Sequence, residues 1–227
     1  MRINYAGHDD VYRARRAAGQ PGWDTAEGVR ETLTRLEAFL TPVAFSAHPS
    51  LVELGCGAGD LALHFATKGW TVHGLDISRF AVAWAKEKAA TAGLAATFEV
   101  ADLTRPFGAS AAPADLVLDG HCLHCIIGSD RGVFLDNARR LLAPGSLLCI
   151  DTMCGDPSNA LMREQFDPAS RCLVARGIAA RYLGRPDDIL GELDAAGLRI
   201  LRHEHQPADG CDDQDMLIVL AEAVTVD

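Results

Sequence analysis

Apolar and polar positions along this chain switch between two periods. Val29, Leu33, Leu36 and Leu40 recur at helical spacing, which predicts an amphipathic helix over about residues 25–40. Asp24-x-x-Glu27 reads as its capping box, and residues 1–24 before it read as irregular. A short apolar run, Leu51 to Leu54, then reads as a strand and ends in glycines at alternate positions, Gly55, Gly57 and Gly59. Helical spacing resumes over 60–68 through Leu61, Leu63 and Phe65 and stops at Gly69. A second strand, W-T-V-H-G-L, ends in Asp76; Ser78 is placed to cap a helix over 79–92 that closes at Gly93. A third strand over 97–101 ends in Asp102-Leu103, and a fourth, D-L-V-L-D, ends in Asp119 and runs into G-H-C-L-H-C.

Ser129 is placed to cap a helix carrying Val133, Phe134, Leu141 and Leu142, followed by a fifth strand over 146–152. Residues 153–185 read as loop with short helical pieces. Pro186 opens a helix that Gly197 closes, and strands over 198–205 and 216–223 follow. Strands alternating with helices predict an α/β fold with a mostly parallel sheet covered on both faces. Such sheets bind ligands beyond the carboxyl ends of their strands. A glycine-rich turn opening a helix there lets backbone approach a ligand closely and aims unpaired N–H groups at it.

The spacing of that turn discriminates among ligands. A dinucleotide fingerprint reads G-x-G-x-x-G, whereas this chain reads G-x-G-x-G between two acids, Glu53 and Asp60. Carboxylates disfavour a pyrophosphate and favour a cofactor carrying an amine and a sulfonium. The stretch E-L-G-C-G-A-G resembles motif I of the class I S-adenosylmethionine-dependent methyltransferases, and V-A-D-L at 100–103 resembles that family's turn after strand three. L-L-A-P-G at 141–145 resembles its turn into strand five, with Ser146 where a second glycine is usual. The resemblance is strong over about 48–152 and rests on element order alone beyond.

The resemblance implies a seven-stranded, mostly parallel sheet with helices on both faces, an antiparallel last strand and an N-terminal helical lid. It implies a single domain over 1–227: lid over 1–45, cofactor-binding half over 48–152, substrate cap over 153–185 and terminal strands over 186–227. The cofactor implied is S-adenosyl-L-methionine. Glu53, Gly55, Cys56, Gly57 and Gly59 would surround its amino-acid end and Asp76, Ile77 and Ser78 its ribose. Asp102 and Leu103 would hold its adenine, with Asp119 beside the methionine end. An acid in the place of Asp76 serves nicotinamide enzymes equally, so Asp102 carries the choice.

Composition narrows the class. At 227 residues the chain can bury a full α/β core. A net charge of −10 argues against broad nucleic-acid binding, which needs basic surface to release counterions. No long apolar run predicts a membrane span, and M-R-I-N-Y-A-G-H-D-D lacks the apolar core of a signal peptide, so a cytoplasmic location is expected. The seven cysteines are scattered and read as thiols. The expected partner is a small-molecule substrate, with neither nucleic acid nor membrane, and a homodimer is compatible with the chain.

Methyl transfer from a sulfonium needs a nucleophile held in line and a sink for its proton. His121 and His124, in the loop after strand four, are the candidate bases; each can equally pack or bond to backbone. Tyr5, Tyr12, Trp23 and Cys154, with the two histidines, are the candidate substrate contacts; the aromatics could instead staple the first helix. Cys122-x-x-Cys125 interleaved with His121-x-x-His124 raises a metal reading, with His203, His205, Cys154 or Cys211 to complete it. A lone C-x-x-C without a partner pair does not make a site, and no metal is expected. Cys122, Cys125 and Cys154 could meet a soft acceptor as thiols or simply be small buried residues. The absence of N-P-P-Y, D-P-P-Y or Pro-Cys after strand four disfavours nucleic-acid methylation. The rivals are aminopropyl transfer or cyclisation of the same cofactor, a non-catalytic partner subunit, and a dehydrogenase.

Overall fold

The computed structural model describes residues 2–106, 111–208 and 214–224. The chain opens with β1 (Arg2–Ile3), α1 (His8–Ala17) and α2 (Ala26–Leu40). The nucleotide-fold core follows as β2 (Ser50–Leu54), α3 (Asp60–Thr67), β3 (Thr71–Asp76), α4 (Arg79–Ala92) and β4 (Ala96–Val100). Next come β5 (Ala114–Gly120), α5 (Asp130–Arg140) and β6 (Leu142–Met153). The remainder is α6 (Ala160–Gln165), β7 (Phe166–Asp167), β8 (Cys172–Ala175), β9 (Ile178–Tyr182), α7 (Pro186–Ala195), β10 (Leu198–Gln206) and β11 (Met216–Ala223).

The main sheet has seven strands in the order β10-β11-β6-β5-β2-β3-β4. Only β11 runs against its neighbours; β6, β5, β2, β3 and β4 pair in parallel. This is the predicted architecture, and the buried strands explain why it was readable. A strand covered on both faces is apolar at every position. In β2, Leu51 packs on the face carrying α2, α3 and α4, while Val52 and Leu54 pack on the face carrying α5 and α7. In β5, Leu116 and Leu118 face the first side and Val117 the second.

Two segments depart from the sequence reading. Residues 8–17, read as irregular, form α1, whose one buried side chain is Tyr12. No apolar stripe announces this helix because polar docking holds it. Asp9 Oδ1 accepts from Ser78 Oγ at 2.5 Å and from the Phe80 N–H at 3.1 Å, and Arg13 and Arg16 lie over the Phe80 ring. Residues 153–185, read mostly as loop, contribute three strands to a second sheet of four, completed by β1, in the order β1-β9-β8-β7. Its β8–β9 hairpin turns at Arg176-Gly177 with φ +52° and +75°. Both central residues are left-handed, as a tight hairpin requires, but Arg-Gly is not among the strong turn signals. The helix caps shift too. Thr25, not Asp24, caps α2, its Oγ1 accepting from Gly28 N–H at 3.1 Å, and Ser129 makes no side-chain cap on α5.

Candidate functional site

The carboxyl ends of β2, β3 and β4 open into one cavity whose floor is the glycine turn. Gly55, Gly57 and Gly59 all lie in the left-handed region, at φ +66°, +53° and +79°. A Cβ at Gly55 would sit 2.5 Å from Cys122 Sγ, and one at Gly57 would overlap the Tyr12 hydroxyl. Asp76 is buried and grips the turn: Oδ2 accepts from the Gly57 N–H at 2.8 Å and Oδ1 from the Ser78 N–H at 2.7 Å. Burial pushes the Asp76 carboxyl up, against the downward pull of those two N–H groups.

Glu53, at 2% exposure, leaves Oε2 with no partner, and burial pushes its carboxyl well above the ordinary range. An orphaned buried carboxylate oxygen beside a glycine cradle is a group shaped to meet a ligand's cation. Asp102 stands after β4, its Oδ1 accepting from Thr104 N–H at 3.0 Å and Oγ1 at 2.5 Å. Three acids at the ends of three adjacent strands thus surround a backbone turn. That donor and acceptor set fits a nucleoside cofactor with a cationic amino-acid tail.

The loop after β5 makes the adjoining wall. Asp119, fully buried, organises it: Oδ1 accepts from Cys122 N–H at 2.6 Å and Oδ2 from Leu123 N–H at 3.0 Å. Burial pushes the Asp119 carboxyl up to about 7. His121 adopts φ +76° and puts Nε2 3.4 Å from Asp151 Oδ2. The same oxygen accepts from Arg35 Nε at 3.0 Å and Nη2 at 2.6 Å. Burial alone would lower His121, but the hydrogen bond and charge of Asp151 prevail and raise its pKa. Burial alone would raise Asp151; the bond to His121 and the charges of His121 and Arg35 prevail and lower it. His124 is the opposite case. Burial pushes it well below the ordinary value, and its Nδ1 accepts from Met153 N–H at 3.3 Å. His124 is therefore neutral, with its proton on Nε2.

The N-terminal segment roofs the cavity. Trp23 stacks at 5.5 Å from His8 and 5.3 Å from Tyr12, with the Arg181 guanidinium 5.6 Å from its ring centre. Tyr5 donates to Asp130 Oδ2 at 2.9 Å and accepts from Ile127 N–H at 3.1 Å. β1 pairs with β9, so the roof is tied to the second sheet.

Most predicted residues meet on this cavity: Glu53, Gly55, Cys56, Gly57, Asp76, Ile77, Asp102, Leu103, Tyr5, Tyr12, Trp23, His121 and His124 line it. Four lie behind its wall. Gly59 packs toward Ala85 and Phe98, which a Cβ would meet at 3.0 Å. Ser78 caps α4, its Oγ accepting from Ala81 N–H at 3.0 Å. Asp119 spends both oxygens on the loop backbone. Cys154 is fully buried among apolar side chains, its thiol pushed up to about 12 by burial. Burial also raises the Cys122 and Cys125 thiols, which keeps them protonated. Among the described residues no group of three His, Cys, Asp or Glu converges as a metal site; His205 instead pairs with Asp215 at 3.0 Å, and Cys211 lies outside the described residues. Sequence reasoning missed Arg35, Asp151 and Arg181. Asp151 had a signal, an acid inside the apolar run L-L-C-I-D-T-M.

The sheet order, the single antiparallel strand and the acid-ringed glycine turn define a class I S-adenosylmethionine-dependent methyltransferase fold. Residues 51–145 match the family described as a methyltransferase domain, and the fold around them is the class I methyltransferase fold. A ubiquinone biosynthesis O-methyltransferase of Caulobacter sp. (strain K31) is 33% identical over 45% of this chain and 40% of its own length. The match thus spans less than half of that relative. A solved structure described by the conversion of a disulfide bond into a thioacetal group during echinomycin biosynthesis is similar at TM-score 0.68 and 23% identity, over 97% of this chain and 93% of its own. The 1,6-didemethyltoxoflavin-N1-methyltransferase of Burkholderia thailandensis, solved with that substrate and S-adenosylhomocysteine, is similar at TM-score 0.67 and 19% identity, over 95% of this chain and 85% of its own. No described helix is long and apolar enough to cross a membrane.

Proposed function

We propose that this protein transfers the methyl group of S-adenosylmethionine to a nucleophilic atom of a small molecule, with His121 as the base. The observation that carries the reading is the acid-ringed glycine turn, orphaned Glu53 included, opening into the same cavity as the His121–Asp151 pair. The comparisons support it: one relative is named a ubiquinone biosynthesis O-methyltransferase, and a protein of similar fold was solved with 1,6-didemethyltoxoflavin and S-adenosylhomocysteine.

The cofactor supplies an electrophilic methyl on a sulfonium, which departs as a neutral thioether as the acceptor–carbon bond forms. Glu53 and the backbone of Gly55 to Gly57 would hold its amino-acid end, Asp76 and Ile77 its ribose, and Asp102 with the Leu103 N–H its adenine. Tyr12 on α1 closes over the glycine turn and acts as part of a lid that keeps water from the reacting atoms. His121 Nε2 lies 3.4 Å from Asp151 Oδ2 and 3.2 Å from Arg35 Nη2; with the ring proton on Nε2 toward Asp151, Nδ1 is the nitrogen left to take the acceptor's proton. Asp151 positions the ring and stabilises the imidazolium that forms, while Arg35, whose own charge opposes that imidazolium, holds Asp151 in place. His124, neutral and bonded to backbone, shapes the wall.

Calorimetric titration with S-adenosylmethionine and, separately, NADH tests the cofactor. Binding of the first only, lost in Asp76→Ala, is expected. Turnover should release S-adenosylhomocysteine; methylthioadenosine instead would mean aminopropyl transfer or cyclisation. Well-folded protein that binds neither ligand overturns the proposal.

A further inference from the structure

Resting on the methyl-transfer reading above, we propose that the acceptor is a planar hydroxy acid, its anionic group held by Arg181 and its nucleophilic hydroxyl directed to His121. Arg181 projects from β9 of the second sheet into the cavity, while its neighbour Tyr182 lies against Arg131. It is the one lysine or arginine on the cavity wall among the described residues. The other arginines near this site have carboxylate partners: Arg35 has Asp151, Arg131 has Glu192 and Arg171 has Asp156. Arg181 has none among the described residues. Its contacts are the neighbouring Ala180 carbonyl, at 3.1 Å, and the face of Trp23.

A guanidinium on a cavity wall with no carboxylate to satisfy it is matched by an oxyanion, which it can bind bidentately. Its position over Trp23 adds a flat, apolar surface on which an aromatic acid can lie. The cavity is also polarised. Asp24 lies on the wall close enough to His121 for its charge to act there, whereas the charge of Arg181 acts on His124 and Cys125. A carboxylate is drawn to the Arg181 end, where the one lysine or arginine of the described wall stands. That sets the molecule's direction and leaves its neutral hydroxyl at His121. The step balances without another reactant: the hydroxyl oxygen bonds the methyl carbon, the carbon–sulfur bond breaks, and the hydroxyl proton passes to His121.

The test is binding of a panel of hydroxybenzoates and hydroxynaphthoates, each against its own methyl ester, with and without S-adenosylhomocysteine. At least one acid should bind about tenfold or more tightly than its ester, and Arg181→Gln should erase that preference. Arg181→Lys should restore part of it, and S-adenosylhomocysteine affinity should be unchanged in both variants. With the cofactor product bound, a panel showing no acid preference overturns the inference, and so does a preference that survives Arg181→Gln. Failure of S-adenosylhomocysteine to bind the wild type instead refutes the methyl-transfer reading, while the acid–ester comparison without it still reads the anion site.

Discussion

Asp151→Asn removes the charge that ties α2, the loop after β5 and β6 together. The wild-type carboxylate is fully buried, and Arg35, with a side chain 18% exposed, gives it two hydrogen bonds. Breaking a buried pair by removing one partner costs about 3–5 kcal/mol. The lower end applies, because Asn keeps an acceptor oxygen and Arg35 retains a path to water. A loss of about 3 kcal/mol lowers the melting temperature of a chain this size by about 6–12 °C. The pH dependence identifies the cause. His121 has a raised folded pKa, so its contribution is complete below its unfolded value of about 6.5 and fades as pH climbs through the folded one. Asp151 has a depressed folded pKa, so its contribution is present above about 3.9 and fades as pH falls through the folded one. Thermal melts of both proteins from acid to mildly basic pH should therefore show the widest gap between about pH 4 and 6.5. The gap should narrow above that window and persist in part, since Arg35 keeps its charge. A gap that widens with rising pH, or a loss below about 2 °C near pH 6, would refute the coupling.

Once an acceptor is found, the rate in wild type should rise with pH through a value above the ordinary histidine range, and Asp151→Asn should move that inflection down. His124→Gln should leave the inflection in place, because His124 is already neutral there; a displaced inflection would make His124 the base. Gly57→Ala puts a side chain in the left-handed region, costing about 1–2 kcal/mol, and displaces Tyr12 besides. It should weaken S-adenosylhomocysteine binding by calorimetry far more than Gly93→Ala. Gly93 has the same backbone hand but open space around it.

What could be read from the sequence was what neighbouring residues determine together. Glu53, Gly55, Gly57, Asp76 and Asp102 are legible because each sits at a strand end, and a parallel sheet places its strand ends on one edge. The His121–His124 loop is legible for the same reason. Ser78 caps α4 as its position before the helix predicts, and Gly59 packs against Ala85 and Phe98, since the residues of a turn divide between facing the cavity and holding the helix behind it. Helix α1 was invisible because its anchors, Ser78, Phe80 and Trp84, lie far along the chain and make polar or cation–π contacts that leave no periodicity.

Asp151 and Arg35 mark where local reading stops. An acid within an apolar strand must find a counter-charge or give up its proton, so Asp151 alone announces a partner. Nothing near it in sequence names that partner. Arg35 sits beside the apolar stripe of α2 among several similar charged residues, and only the packing of α2 on the sheet brings it within 2.6 Å. The same logic separates Arg181 from Arg171 on the second sheet. Both are arginines of one short hairpin region, yet Arg171 reaches Asp156 and, among the described residues, Arg181 reaches a ring and a carbonyl but no carboxylate. Sequence can show that a buried charge needs a partner, but the fold decides which charge has one within the protein. On this cavity wall, Arg181 is the cation with no carboxylate partner among the described residues, and the proposed acceptor supplies one.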